Sequence, residues 1–377
     1  MTAFPEDWAQ RLLDPVHFQV EQRALAHVWT FLGLVGELGK DGDWFQASIA
    51  TRSVFVQRFG DELRGFENVC AHRFYPIRRT KRGNGPIVCG FHNWQYNRDG
   101  RVVGIPISNL AYGKPPHLID ASLQRIEIAV CGSFIFGRFP AEHAQESLEA
   151  YLGDAFPILE AMSRFRGHPL YFEQSVKAHW KLNMHITLDD YHGPPVHPTT
   201  LGRHGYLPSL DMLRYVRLGA NSIYLFSDDA DCFEKLVEGC RAGTYSSSHF
   251  FVLQILPNLV VAHVDADRPF WFCNVMQYVP VTTDRTIYRS WSYPASFDSD
   301  FSLLQRMTRP LSDRFRRPIY MHYFKRVVRE DIAVCEHMQQ VLPQVARSPM
   351  LGTLEQRIAW FEDAIQALTS PEAPARV

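Results

Sequence analysis

Two cysteine–histidine pairs stand close together in the first third of the chain. Cys70 and His72 are one residue apart in "NVCAHR", and Cys89 and His92 are two residues apart in "VCGFHNWQY". Pairs at such short spacing let one turn present a thiolate and an imidazole to a single centre, and two turns complete four ligands. Four nitrogen and sulfur ligands suit either a tetrahedral zinc ion or an iron–sulfur cluster. The spacing alone leaves both possibilities open.

A second group of histidines surrounds the stretch "LDDYHGPPVHP", residues 188–198. The segment from 179 to 192 has a helical pattern, and on a helix His185, Asp189 and His192 would share one face. We expect the Gly-Pro-Pro turn to end that helix and to bring His197 back toward His192. Two imidazoles and one carboxylate from elsewhere would form the facial triad typical of non-haem Fe(II) oxygenases. The alternative is a histidine-rich helix end whose imidazoles bind helix carbonyls.

The surroundings of both motifs resemble one known family. Rieske domains carry the patterns C-x-H-R and C-x-x-H-x-W-x-Y/F, which are matched here by Arg73, Gly90, Phe91, Trp94 and Tyr96 around the four candidate ligands. The iron motif of Rieske non-haem iron oxygenases is matched in register by Trp180, Lys181, Asp189, Tyr191, His192 and His197. Because the motifs also follow the family order, the chain resembles the terminal oxygenase (alpha) component over nearly its whole length.

The resemblance implies a role for each matched residue. Both cysteines would bind one iron of a [2Fe–2S] cluster and both histidines the other, which raises the reduction potential relative to an all-cysteine cluster. His192 and His197 would hold a mononuclear Fe(II), with dioxygen as co-substrate. Asp189 would hydrogen-bond across a subunit boundary to His72 or His92 of the partner subunit, and so link the two centres.

Two positions of the iron site are less defined by the resemblance. The family places its third ligand, an aspartate, in a late helix, and "VVREDIAVCEHMQQ" offers Asp331, with Glu330 and Glu336 as alternatives. A cluster of surface charges would give the same pattern. His185 stands where the family commonly has an amide or carboxylate facing the metal. We expect it to hydrogen-bond a metal ligand rather than to approach the iron or simply to pack.

The elements around these motifs predict an α+β protein. Residues 5–27 have helical spacing, residues 29–139 form short β-type runs between turns, and β texture returns from 213 to 293 before a helical last part. We predict an all-β Rieske domain at 29–140, which follows an N-terminal helical segment, 1–28, packed on the catalytic domain. The resemblance implies that the catalytic domain, 141–370, has the helix-grip fold, an antiparallel sheet covered by helices. Residues 371–377 would form a tail.

Composition excludes several classes of partner. The net charge of −1 gives no basic excess for nucleic acid, and no window reaches the ~18 apolar residues of a membrane span. The N-terminus has early acids and no apolar run of signal-peptide length, so we expect a cytoplasmic protein. Seven cysteines, an odd number, do not resemble a secreted disulfide framework.

The sequence says less about the redox partners and the substrate than about the metal ligands. The chain lacks the G-x-G-x-x-G pattern, so flavin and NAD(P)H are expected on a separate reductase, acting directly or through a ferredoxin. The basic loop "RRTKRGNG" between the cysteine–histidine pairs would be either a solvated loop or a surface that steers an acidic partner. The family resemblance also implies a head-to-tail homotrimer.

A small organic substrate is expected in an apolar pocket. Aromatic side chains that could line it, or could equally belong to the core, are Phe250, Phe251, Trp271, Phe272 and Tyr278. Hydroxylation of an aromatic compound is favoured, while cis-dihydroxylation and oxidative N- or O-demethylation use the same metal centres. A non-enzymatic electron carrier or a zinc-binding protein is the alternative from another class.

Overall fold

The computed structural model describes residues 4–141, 146–163, 169–189, 191–204, 210–245, 250–263, 272–294 and 303–370. Within them the chain folds into two compact units. One contains residues 23–148, and the other contains residues 4–22 together with 149–370. The predicted boundaries lie at 28/29 and 140/141, whereas the units change at 22/23 and 148/149. The predicted tail and the residues Asp190 and Trp271 lie outside the described part of the chain.

The N-terminal segment forms two helices, as its apolar spacing predicts. They are α1 (Trp8–Leu13) and α2 (Pro15–Leu25). Proline suits the first position of α2 because its fixed φ is helical and no backbone N–H is needed there. The side chain of Asp14 accepts a hydrogen bond from the backbone N–H of Val16 at 2.8 Å, which satisfies one free donor at the start of the helix.

The unit of residues 23–148 consists mainly of β structure. Its elements are β1 (Thr30–Leu34), β2 (Asp43–Ile49), β3 (Arg52–Phe59), β4 (Glu62–Glu67), β5 (Arg82–Asn84), β6 (Ile87–Val88), β7 (Gln95–Tyr96), β8 (Val102–Gly104), α3 (Ser108–Tyr112), β9 (Arg125–Cys131) and β10 (Phe134–Arg138). One antiparallel sheet has the order β1-β10-β9-β4-β3-β2-β5, and a smaller sheet has the order β6-β7-β8. The thiols of Cys70 and Cys89 belong to one of its cores, together with Trp94 and Tyr96.

The other unit is a curled antiparallel sheet with helices. Its elements are α4 (Leu148–Leu152), α5 (Ala155–Met162), β11 (Leu170–Val176), α6 (Trp180–Leu188), α7 (Gly193–Val196), β12 (Leu213–Leu218), β13 (Asn221–Phe226), α8 (Cys232–Ala242), β14 (Phe251–Ile255), β15 (Leu259–His263), β16 (Phe272–Thr282), β17 (Arg285–Pro294), α9 (Leu303–Val341) and α10 (Gln356–Thr369). The sheet order is β11-β17-β16-β15-β14-β13-β12. The predicted α+β class with a helix-grip catalytic domain is confirmed.

The predicted β texture from 213 to 293 did not include a helix that the structure has between β13 and β14. This helix, α8, buries Cys232, Phe233, Leu236, Val237 and Cys240, which follow a helical spacing. Gly243 ends this helix in the left-handed conformation with φ of 70°. The helical pattern was readable, but strand-like segments on both sides hid it.

One face of the sheet lies under α9. Residues paired directly across antiparallel strands share a face, and the pairs here are Asn274 with Ser292, Met276 with Ser290, and Tyr278 with Tyr288. On α9 the buried side chains recur every three or four residues, at Tyr320, Phe324, Val328, Ile332 and Cys335. The hydroxyl of Tyr320 donates to Asn274 Oδ1 at 2.8 Å. The helix therefore covers the face that carries Tyr278 and Tyr288.

The basic loop between the cysteine–histidine pairs is only partly solvated. Arg78 is buried, and its guanidinium donates to the carbonyls of Gly85 and Pro86 and to the side chain of Gln57. Burial lowers the pKa of Arg78 to about 10. This arginine holds the loop together, while Arg79, Lys81 and Arg82 are exposed. As for membranes, the described residues include no helix that is both long and apolar enough to span a bilayer.

Candidate metal centres

The two cysteine–histidine loops have the same backbone geometry. In each loop the cysteine N–H donates to the carbonyl five residues later at 2.9 Å, and the cysteine carbonyl accepts the N–H four residues later at 3.0 Å. That fourth residue, Phe74 in one loop and Asn93 in the other, is left-handed, with φ of 59° and 54°. Two matching turns therefore present Cys70 and Cys89 in the same way, as paired ligand loops require.

The donor atoms of these loops suit an iron–sulfur cluster. Both thiols are buried, and the hydroxyl of Tyr96 lies 3.0 Å from Cys70 Sγ. The rings of His72 and His92 have centroids 4.6 Å apart. His92 Nδ1 is buried and has no hydrogen-bond partner in the part of the chain that the structure describes. His72 Nε2 lies 3.1 Å from the hydroxyl of Tyr112, which leaves its Nδ1 as the other donor.

The set of donors suits a cluster with two irons. A [2Fe–2S] cluster can take two cysteine thiolates on one iron and two histidine imidazoles on the other. Two matching turns present one cysteine each, and the rings of the two histidines lie side by side, so the residues fit the [2Fe–2S] group.

The chain around the second histidine group folds differently from the prediction. Helix α6 ends at Leu188 and not at His192, and Asp189 is extended. Residues Gly193–Val196, predicted as a helix-ending turn, form the short helix α7. The reason is that two prolines at the first positions of a helix favour it, because those positions need no N–H. His185 and His192 consequently do not share one helical face.

The structure brings His192, His197 and Asp331 together. Their donor atoms all lie within 4.8 Å of one another. Asp331 Oδ1 is 3.6 Å from His192 Nε2 and 3.0 Å from His197 Nε2. The two imidazole rings have centroids 5.4 Å apart and are inclined by 69°. Two short segments, on either side of α7, thus meet one turn of α9.

The chemistry of these three donors suits a divalent cation. Asp331 Oδ1 is buried and has no aligned hydrogen-bond donor among the described residues, although an imidazole nitrogen is 3.0 Å away. Burial lowers the pKa of His192, but Asp189 and Asp331 outweigh it and raise that pKa to about 10. Burial raises the pKa of Asp331, but the two histidines lower it below its usual range. The pKa shifts show that the carboxylate and the two imidazoles share charge and protons at one place. A divalent ion that displaces those protons would be bound by Asp331 and both Nε2 atoms.

Neighbouring acids face the opposite ring nitrogens, and one of them, Glu330, is within hydrogen-bond distance. Glu330 Oε2 lies 2.8 Å from His197 Nδ1, and Thr200 donates to the same carboxylate oxygen. Asp189 Oδ2 is 3.6 Å from His192 Nδ1, while its Oδ1 accepts the backbone N–H of Tyr191 at 2.6 Å. An acceptor at Nδ1 fixes the tautomer that leaves Nε2 free for a metal. The sequence offered Glu330 only as an alternative ligand, and the adjacent letters "ED" were its one signal.

Glu336 and His185 lie in other surroundings. Glu336 accepts the backbone N–H of Lys177 at 2.9 Å. His185 stacks on Trp8 with ring centroids 5.7 Å apart, and its Nε2 lies 2.9 Å from Glu362 Oε1. These partners come from both ends of the chain, so no local pattern could have indicated them. The described contacts of His185 do not include the expected hydrogen bond to a metal ligand.

The predicted pocket residues divide between the two faces of the sheet. Val252, Ala262 and Asn274 stand opposite one another across β14, β15 and β16, and share the face of Tyr278. Phe251, next to Val252, therefore lies on the other face. Its side chain contacts His263, with ring centroids 5.0 Å apart.

Comparison with known families agrees with both centres. Residues 28–112 match the Rieske [2Fe-2S] domain, and residues 142–370 match the ring hydroxylating alpha subunit (catalytic domain). The second match covers more than half of the chain, which therefore belongs to the ring-hydroxylating alpha subunit family. This membership confirms the predicted Rieske cluster, non-haem iron and use of dioxygen, and it decides against the zinc-binding alternative.

Particular relatives are known as well. The chain is 30% identical over 206 residues to the large oxygenase component of salicylate 5-hydroxylase from Ralstonia sp, covering 50% of this chain and 48% of that one. It is 28% identical over 227 residues to the anthranilate 1,2-dioxygenase large subunit of Acinetobacter baylyi, covering 55% and 47%. The matches thus span about half the length of these relatives. In fold the chain is similar to naphthalene 1,2-dioxygenase from Rhodococcus sp., with a TM-score of 0.75, 20% identity and coverage of 98% and 99%.

Proposed function

We propose that the chain is the oxygenase component of a multicomponent enzyme that hydroxylates an aromatic or other apolar organic substrate with dioxygen. Its electrons would come from a separate NAD(P)H reductase, directly or through a ferredoxin. The observation that carries this proposal is the convergence of His192, His197 and Asp331 in a chain that also has two matched cysteine–histidine loops. The aromatic substrates in the names of the two relatives support the substrate class.

In this proposal the residues of each centre have defined tasks. Cys70, His72, Cys89 and His92 would hold the [2Fe–2S] cluster, and His192, His197 and Asp331 would hold the iron. When bound, the cluster supplies single electrons and the iron activates dioxygen. The family relation and the donor geometry support these assignments together.

The surrounding side chains keep the iron ligands in a binding state. Glu330 holds the proton of His197 on Nδ1, 2.8 Å away, so that Nε2 stays available. His197 is buried, which excludes water from that ligand. Asp189 faces His192 Nδ1 and would do the same for the other imidazole. We also propose that Asp189 links to His72 or His92 of the partner subunit in a head-to-tail homotrimer. The trimer and the cytoplasmic location remain predictions from the sequence.

The reaction type admits two further candidates. Anthranilate 1,2-dioxygenase, as its name says, adds dioxygen to a ring, whereas salicylate 5-hydroxylase hydroxylates one. Cis-dihydroxylation is therefore the first alternative, and oxidative N- or O-demethylation is the second. Product analysis with a reductase, NADH and a panel of aromatic acids and N-methyl or O-methyl aromatics separates the three.

The variant His192→Ala tests the proposed iron site. Removing one of the three ligands should abolish product formation and lower the iron content by about one iron per chain, because a mononuclear ion needs all its protein ligands. The visible absorption of the cluster should stay unchanged. His322→Ala, an exposed histidine on α9, is the matched control and should keep both activity and iron. Normal turnover in His192→Ala would contradict the assignment.

A further inference from the structure

Two hydroxyl groups beside the proposed iron site are buried with no partner other than each other. Tyr288 is 2% exposed and Ser290 is 0% exposed, and among the described residues neither hydroxyl has another hydrogen-bond partner. An unpaired buried polar group costs about 1 to 3 kcal/mol. Such groups in a folded protein call for a reason, and a missing ligand is one of the few physical explanations.

Both hydroxyls lie on the sheet face that α9 covers. Tyr288 and Ser290 are two positions apart on β17, so their side chains leave the same face. Burial raises the pKa of Tyr288 well above its ordinary value, and the negative charge of Asp331 raises it further. The Ser290 hydroxyl, within hydrogen-bonding reach of the Tyr288 hydroxyl, lowers that pKa, so the two hydroxyls lie next to each other. Burial and Asp331 likewise raise the pKa of Tyr278, which pairs with Tyr288.

The polar side chains at the next positions along the same face already have hydrogen-bond partners. Asn274 Oδ1 accepts hydrogen bonds from the hydroxyl of Ser292 at 2.6 Å and from that of Tyr320 at 2.8 Å. This group closes the strip of polar side chains at its far end. The donors left over are therefore those of Tyr288 and Ser290, at the end nearer to Asp331.

We propose that the hydroxyls of Tyr288 and Ser290 bind an oxygen substituent on the aromatic substrate and thereby turn the ring toward His192, His197 and Asp331. This inference rests on the proposed oxygenase function and names the substrate class of that site. Two hydroxyl donors can converge on one acceptor oxygen, whereas a plain hydrocarbon would offer them no acceptor. A site built to bind an oxygen strongly rejects the analogue that lacks it.

A nearby positive charge favours a carboxylate over a neutral carbonyl. Phe172 on β11 stands opposite Ser290, and Lys325 Nζ lies 4.8 Å from the centroid of the Phe172 ring. The ammonium group therefore stands at the edge of the strip, on the side of Ser290. A carboxylate bound by the two hydroxyls would gain from that charge, while a ketone would use the hydroxyls alone.

Binding measurements on the full-length, metal-loaded protein without oxygen test the proposal. Dissociation constants are measured by calorimetry for benzoate, acetophenone and isopropylbenzene, which have similar shapes but different oxygen content. We expect benzoate to bind best and isopropylbenzene worst, with at least about a tenfold difference. Tyr288→Phe and Ser290→Ala should each weaken benzoate and acetophenone about tenfold and leave isopropylbenzene unchanged.

A matched control separates binding from folding. Tyr151→Phe removes a hydroxyl that donates to the carbonyl of Leu256 at 2.7 Å, so it should lower the melting temperature and leave the probe preference intact. Tyr288→Phe and Ser290→Ala remove hydroxyls whose only described partner is each other, so these variants should not lower the melting temperature as Tyr151→Phe does. Equal affinity for the three probes, no binding of any probe, or a preference that survives in the double variant would overturn the proposal. A different result would refute the oxygenase function alone. In that case the probes would show the oxygen preference, the preference would depend on these two hydroxyls, and the protein would not turn over any substrate.

Discussion

His197 is held from both sides by consecutive residues of one helix. Glu330 lies at its Nδ1 and Asp331 at its Nε2, at 2.8 and 3.0 Å. One acid therefore sets the tautomer, and the next completes the group of metal donors. The position of a histidine between these two acids depends on the backbone of α9 as much as on either side chain.

The first prediction concerns Glu330. Replacing it with alanine should lower the affinity for iron by about 10- to 100-fold, because the imidazole loses the acceptor that fixes its orientation. Glu330→Gln should restore part of the affinity, since an amide oxygen still accepts the Nδ1 proton. Iron content after dialysis against a graded series of chelator concentrations measures the effect.

The control for this experiment lies on the same helix. Glu336→Ala removes an acid that accepts the backbone N–H of Lys177 and should leave iron affinity unchanged. Full retention of iron by Glu330→Ala would show that His197 is oriented by other contacts.

The family resemblance named the proposed metal donors, but not their surroundings. The predicted set of His192, His197 and Asp331 is the set that the fold gathers. The predicted role of His185 depended on a helix reaching His192, and the prolines of α7 changed that geometry. Long-range partners such as Tyr112 for His72 leave no local signal in the sequence.

At the scale of elements, a buried charge network joins α2, α6 and α10. Lys181 Nζ lies 2.6 Å from Glu21 Oε2 and 3.1 Å from Glu362 Oε2. Glu362 also faces His185, and Trp180 Nε1 donates to Glu21 at 3.0 Å. The helix that leads into the iron site is therefore fixed by charges from both ends of the chain.

The network makes stability depend on pH. Burial raises the pKa of Glu362, but Lys181 and His185 outweigh it and lower that pKa to about 2. A carboxylate with a depressed pKa stabilises the fold above its unfolded pKa, and this contribution is lost as the pH falls toward about 2. From this group alone we expect the free energy of unfolding to fall by about 2 kcal/mol between pH 6 and pH 3.

Urea unfolding at several pH values measures how the free energy of unfolding depends on pH. Glu362→Gln cannot titrate there and should show a smaller loss of stability over the same range than the unchanged protein. Glu355→Gln, outside the network, should follow the unchanged protein. Parallel pH curves for Glu362→Gln and the unchanged protein would assign the acid sensitivity to other carboxylates.

Sequence patterns predicted most elements because the apolar period and turn residues are local. Helix α8 was missed, since its amphipathic pattern stands between strands. The end of α6 was placed too late, because proline was taken as a helix terminator when it begins α7. Both errors arose because the structure of a segment depends on its neighbours, and a short stretch of sequence does not include them.

At the scale of the whole molecule, each chain carries two centres in separate compact units. If Asp189 joins the iron site of one chain to His72 or His92 of the partner subunit, the functional pair is shared between chains. Defects in different centres could then complement each other in a mixed oligomer.

Co-expression of His72→Ala and His192→Ala chains tests this arrangement. One variant keeps the iron site and the other keeps the cluster, so each alone should be inactive. In a head-to-tail trimer that contains both variants, one of the three neighbouring pairs is complete, and we expect about a third of the normal turnover. Differently tagged chains purified in two steps provide the mixed oligomers, and oligomers of a single variant are the control. No recovery in verified mixed oligomers would exclude the shared pair.

The consecutive acids of α9 also restrict how the length of this helix can change. Glu330 and Asp331 face two sides of one ring, and each residue of an α-helix turns the next by about 100°. A single inserted or deleted residue upstream in α9 would rotate both acids away from His197 together. Only changes close to whole turns, such as seven or eleven residues, preserve the phase. Helical phase is therefore a constraint on the length of this segment, independent of which residues fill it.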